Sequence, residues 1–127
     1  MSRIKGKNTI PELLVRKFLF SNGFRYRIHD KNLCGSPDIV LKKYKSIIFV
    51  NGCFFHGHEN CKYYKLPKTN VEFWENKISR NIERDIKNTR ELISKGWNVI
   101  TIWSCDLSKE KVDETIGKLI YELRTNL

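Results

Sequence analysis

The chain has no apolar run longer than Ile47-Ile48-Phe49-Val50, whereas a membrane-spanning helix needs about 20 such residues. No basic stretch followed by an apolar core opens it, which argues against a secretory leader. It shows no internal repeat, no low-complexity segment and no long linker. Acids are in short supply: 14 Asp and Glu face 24 Lys and Arg, a formal net charge of +10 with a pI of about 9.6. With 40% hydrophobic and 12% aromatic residues, that excess does not belong to a disordered basic tail. The expectation is one soluble, intracellular domain over residues 1–127, large enough to bury a core without disulfides and attracted to polyanions, nucleic acid first.

Four cysteines are present, Cys34, Cys53, Cys61 and Cys105. In a chain with a full core and no leader, reduced thiols or a metal site are the natural reading.

Along the chain, Asn8-Thr9-Ile10-Pro11-Glu12 carries the polar cap, early proline and early acid of a helix start. Leu13, Leu14, Phe18 and Leu19 follow at helical spacing, and Asn22-Gly23 ends the run. Phe24 to His29 alternates as a half-buried strand would. Gly35-Ser36-Pro37 is a turn, Asp38-Ile39-Val40-Leu41 opens a second strand, and Lys42 to Lys45 reads as a hairpin tip. Ile47 to Val50, apolar on both faces, suits a central strand. Residues 51–70 have no period, a long irregular stretch of the kind that signals function or a local staple. A helix then runs from about Val71 to Lys95 with a stripe of Val71, Trp74, Ile78, Ile82, Ile86, Thr89 and Ile93. Lys77, Arg80, Arg84 and Lys87 lie opposite. Trp97 to Trp103 is another strand, and a last helix covers roughly Lys109 to Arg124. This order, α-β-β-β-loop-α-β-α, predicts a mixed sheet flanked by helices.

Within the irregular stretch, Cys53-Phe54-Phe55-His56-Gly57-His58-Glu59-Asn60-Cys61 holds two thiols and two imidazoles. Zinc favours four S/N ligands in a tetrahedron. Cys53, Cys61 and one of the two histidines supply three, and Cys105, just past a strand end, is a candidate fourth. The histidine left over could serve as a general base. Asp38 at a strand start suits a hard divalent cation such as Mg²⁺. Asp85 falls at the edge of the helical stripe, where an acid needs a partner. Glu12 sits in a first helical turn. Each acid alone has a plain structural reading; together, on a basic surface, they outline a metal-assisted phosphodiesterase. Phe54, Phe55 and Trp74 are candidates to wedge between base pairs.

These residues resemble the very short patch repair (Vsr) endonucleases. The matching stretches are Pro11-Glu12, Leu33 to Asp38, Ile48 to His58 and Phe73-Trp74. They continue through Lys77-Ile78, Asn81 to Asp85, Gly96 to Val99 and Trp103-Ser104-Cys105. The resemblance implies an α/β, restriction-endonuclease-like mixed β-sheet core with a structural Zn²⁺ and a catalytic Mg²⁺. It implies nicking of one strand of double-stranded DNA beside a T:G mismatch, by a monomer working on the nucleoid in the cytoplasm. It gives Asp38 and the Val50 carbonyl as Mg²⁺ ligands, and Glu12 as an acid reaching the metal through water. His56 becomes the catalytic histidine and Asp85 a carboxylate beside it. Cys53, His58, Cys61 and Cys105 become the zinc ligands. Phe54, Phe55 and Trp74 become the intercalating aromatics. Apart from the resemblance, Lys77, Arg80, Arg84 and Lys87 on the basic helix face are candidate phosphate contacts.

The chain departs from that pattern in four places. The family commonly has a second histidine before Gly-Cys, where Asn51 stands, and an amide exchanges no proton near neutral pH. His58 and Cys61 are one residue further apart than the family spacing. Cys34 replaces a proline and reads as a packing thiol. The N-terminal stretch is shorter than the family's, which implies weaker DNA binding. Two other readings are a restriction-type or mobile-element nuclease acting on unmispaired DNA, and a non-catalytic, zinc-stapled DNA-binding module. A redox or thiol protein is a weaker third.

Overall fold

The computed structural model describes residues 9–54, 56–58, 61 and 65–126. Helix α1 (Ile10–Ser21) starts where the Thr9 hydroxyl accepts a hydrogen bond from the Glu12 N–H, and Asn22 and Gly23 (φ +82°) end it. Its buried line is Glu12, Val15 and Leu19, while Leu13 is exposed. Strands β1 (Arg27–Ile28), β2 (Ile39–Leu41) and β3 (Ser46–Asn51) form an antiparallel run. Helix α2 (Val71–Ser94) then crosses over to β4 (Asn98–Trp103), which pairs in parallel with β3. The sheet order is β1-β2-β3-β4, and α3 (Val112–Thr125) closes the chain.

Alternation along the strands divides the molecule into layers. Ile39, Leu41, Ile48, Ile100 and Ile102 pack with Val15 and Leu19 of α1 and Ile116, Leu119 and Leu123 of α3. Val40, Ile47, Phe49 and Val99 turn to the other face and meet Leu92 of α2. By the same alternation Asn51, Thr101 and Trp103 fall on the α2 side, at the ends of β3 and β4.

Three sequence expectations change. The strand predicted over 24–29 shrinks to Arg27–Ile28, both exposed, because Phe24 is drawn into the core beneath the sheet edge. The last helix begins at Val112, since Lys111 and Val112 donate their N–H groups to the Ser108 carbonyl in a preceding turn. On α2, Ile86 and Ile93 are exposed, and Leu92 is fully buried in their place. The inward line runs Ile78, Ile82, Asp85, Thr89 and Leu92, buried at its two ends and half-buried between them, a helical progression containing polar residues at its centre. That polar middle does not seal against the sheet, and a cleft of about 660 Å³ opens there.

Candidate active site and candidate metal centres

The cleft is lined by Asp38, Val50 and Asn51 from the sheet, by His56 and His58 from the following loop, and by Asp85 from α2. β2 begins at Ile39, opposite Ile48, so the edge of β3 beyond that pair has no strand beside it. The Asp38 carboxylate fills the gap: its Oδ2 accepts the Val50 N–H at 2.7 Å. In an extended strand, the N–H and C=O of one residue leave on the same side. The Val50 carbonyl therefore faces the edge that Asp38 occupies.

Burial pushes the Asp38 carboxyl up from its ordinary 3.8 to about 6; the Val50 N–H works against this and neighbouring Glu12 adds to it. Glu12 is almost wholly buried, at 1% exposure. Its Oε2 lies 2.6 Å from His29 Nε2 and 3.8 Å from Arg16. One ligand atom each from Glu12, His29 and Asp38 lies within 4.8 Å of the others. A buried and a half-buried carboxylate with an imidazole and a nearby carbonyl form an oxygen-rich donor set, which fits a hard or borderline divalent cation.

Across the cleft, His56 Nδ1 pairs with Asp85 Oδ2 at 2.6 Å. The two side chains are 31% and 37% exposed, open enough for a substrate to reach. His56 stands on a compact loop: its N–H donates to the Gly52 carbonyl, the Gly57 N–H to Phe54, and the His58 N–H to Cys53. Gly57 makes this loop possible. Its φ is +59°, and a Cβ there would stand 2.5 Å from Ile82 Cδ1 and 3.0 Å from Ile78 Cγ2. Gly57→Ala is therefore expected to lift the loop off α2 and part His56 from Asp85. Turnover should fall about a hundredfold, the scale that attaches to small misplacements of a reacting group. Unchanged turnover by purified Gly57→Ala would refute this.

The second donor set is Cys53, His58, Cys61 and Cys105, whose ligand atoms also lie within 4.8 Å of one another. Three thiols and one imidazole in such a group have the chemistry and spread of a tetrahedral zinc site. The longer step from His58 to Cys61 does not prevent Cys61 from reaching it. His58 Nδ1 lies 3.4 Å from Cys105 Sγ, and its ring stacks on Trp103 at 4.1 Å and 7°. Burial and the neighbouring Cys53 and Cys61 thiols push Cys105 up to about 12. Such crowding of thiols is what a bound cation relieves. Cys34 stands apart, its thiol 3.4 Å from the Asn88 carbonyl, as a packing cysteine would.

Of the aromatic candidates, Phe54 and Trp74 meet edge-to-face at 5.5 Å, with Phe73 against Trp74 at 5.2 Å. Phe55 lies outside the described residues. Lys77, Arg80 and Arg84 line a shallow groove on α2 together with Phe73, Asn76 and Asn81. Sequence reasoning missed His29. It stands seventeen positions from Glu12, and its only local signal was to end an alternating segment shortly before the turn that leads to Asp38.

A mixed sheet with a half-buried acid at a strand end, a buried acid on the adjoining helix and a His–Asp pair facing them is the arrangement of an endonuclease-type α/β enzyme. The same fold occurs in the catalytic domain of homing endonuclease I-Bth0305I, with a TM-score of 0.57 and 25% identity, covering 94% of this chain and 99% of that domain. The family described as DNA mismatch endonuclease Vsr matches residues 1–62. DNA mismatch endonuclease Vsr of Escherichia coli K12 is 37% identical over 96% of this chain and 79% of its own length. Type II nicking enzyme V.NmeAIP of Neisseria meningitidis serogroup A is 49% identical, over 98% and 89% respectively. The chain belongs to the Vsr endonuclease family and is a DNA endonuclease. Among the described residues no helix is long and apolar enough to cross a membrane.

Proposed function

We propose that this endonuclease nicks one strand of double-stranded DNA next to a T:G mispair, as a single-domain monomer acting on the nucleoid. The observation that carries the reading is the convergence of the Asp38–Val50 edge and the His56–Asp85 pair on one cleft. Asp38 and the Val50 carbonyl would hold Mg²⁺, with Glu12 behind them, and Cys53, His58, Cys61 and Cys105 would hold Zn²⁺. When bound, the divalent cation supplies positive charge for the scissile phosphate and the departing oxygen.

Asp85 holds His56 through Nδ1, leaving Nε2 to take a proton from the attacking water. Asn51 contributes an amide that can donate a hydrogen bond but moves no proton. Phe54, Phe55 and Trp74 enter the base stack, which costs least where a mispair has already weakened it. Lys77, Arg80 and Arg84 meet backbone phosphates and position the duplex without reading it.

The test compares nicking of T:G and T:A duplexes of equal sequence, with Mg²⁺ and with a chelator. The T:G duplex should be cut about a hundredfold faster, the ratio that a difference of ~3 kcal/mol in unstacking cost produces. Equal Mg²⁺-dependent rates would replace this reading with a nuclease for unmispaired DNA. Salt-dependent binding with no product would leave only a DNA-binding module.

A further inference from the structure

His29 plays no part in the reaction as described above, yet the chain bends sharply to place it. β1 ends at Ile28, and His29 adopts φ +49°, the left-handed region that a side chain with a Cβ seldom enters. Its own N–H donates to the Asp38 carbonyl at 3.3 Å, locking the two residues together at the mouth of the sheet. Its imidazole lines the cleft and reaches Glu12 at 2.6 Å. Residues held in sparsely populated backbone regions cluster at active sites and ligand clamps, and this one, unlike Lys45 and Asn70, lines the cleft.

We infer that His29 is a nitrogen ligand of the active-site cation, making the site a mixed N/O centre in which His29 joins Asp38 and the Val50 carbonyl and Glu12 moves from its place behind them into direct contact. The inference rests on the proposed cation site at Asp38. Donors bonded to one ion at about 2.1 Å stand roughly 3 Å apart when adjacent and 4 Å when opposite. The three ligand atoms, all within 4.8 Å of one another, need only small adjustments to satisfy this. The chemistry of the set follows from its softness. Mg²⁺ gains little from exchanging an oxygen for an imidazole nitrogen, whereas Mn²⁺ and the later first-row ions gain more. His29 therefore biases this nuclease toward Mn²⁺ over Mg²⁺, beyond what its carboxylates would do alone.

The experiment uses full-length, zinc-loaded protein titrated with Mn²⁺. Electron paramagnetic resonance reads free Mn²⁺, competition reads Mg²⁺, and electron spin-echo envelope modulation reads nitrogen bound directly to the manganese. The wild type should show ¹⁴N modulation. His29→Gln should lose that modulation and bind Mn²⁺ about tenfold more weakly, with Mg²⁺ affinity changed by less than about threefold. Zinc content of one per chain and an unchanged circular dichroism spectrum verify folding, and His29→Asn serves as the second variant. Absence of ¹⁴N modulation in the wild type overturns the inference without any variant, as does modulation that survives both substitutions. Asp38→Ala separates the two levels. If it binds Mn²⁺ as tightly as the wild type, the cation lies elsewhere and the proposed active site itself falls.

Discussion

Asp38→Ala is expected to lower nicking by about a thousandfold or more while leaving one zinc per chain. The size follows from removing the carboxylate that would hold the charge-stabilising cation, a contribution worth several kcal/mol of barrier. Zinc should stay because Cys53, His58, Cys61 and Cys105 form a separate donor set from Asp38. Nicking kinetics and metal analysis on one preparation decide the matter. Cleavage retained in the presence of Mg²⁺ would remove Asp38 from the reaction.

The same carboxylate has a pH signature. Because folding raises Asp38 from 3.8 to about 6, the folded state keeps a proton that the unfolded chain has released. Metal-free stability is therefore lost as pH rises between those two values, and the deficit persists above them. Asp38→Asn, which keeps an acceptor for the Val50 N–H, should melt higher than wild type at pH 7 and alike at pH 4. Divalent cation affinity should run the other way, weakening as pH falls below about 6 because a proton competes for the same oxygen. A melting difference that is the same at both pH values would contradict this account.

Cys105→Ser should be the most damaging single change to the scaffold. It removes one of the four donors proposed for zinc and leaves Cys53 and Cys61 with a poorer partner. Loss of about 3 kcal/mol would lower the melting temperature by roughly 10 °C in a chain of this size. Nicking should fall with it, since His56 rides on the loop between Cys53 and Cys61. Zinc retained at one per chain, with unchanged melting, would exclude Cys105 as a ligand. Chelating zinc from the wild type should reproduce the variant's melting curve.

Much of the architecture was legible in local chemistry. Thr9 and Pro11 announce α1, Gly23 and Gly96 stop helices, and Ile47 to Val50 reads as an interior strand because both of its faces are apolar. The Cys53–Cys61 segment declared itself as a staple by composition. The short β1 was not legible, since Phe24 and Tyr26 look like strand residues until the core claims them. Nor was the choice of Leu92 over Ile93 on α2, because a one-residue rotation of a helical stripe leaves its periodicity intact.

Residue type and spacing by themselves determined the order of elements, the basic composition, the thiol and imidazole cluster between Cys53 and Cys61 and the acids worth watching, because each depends on neighbours within a turn, a loop or a strand. Only the tertiary structure decided that Glu12, His29 and Asp38 share one site, that His56 finds Asp85, and that α2 stands off the sheet to leave a cleft. Those juxtapositions join residues 9 to 29 positions apart, and it is the packing of the layers that brings them together.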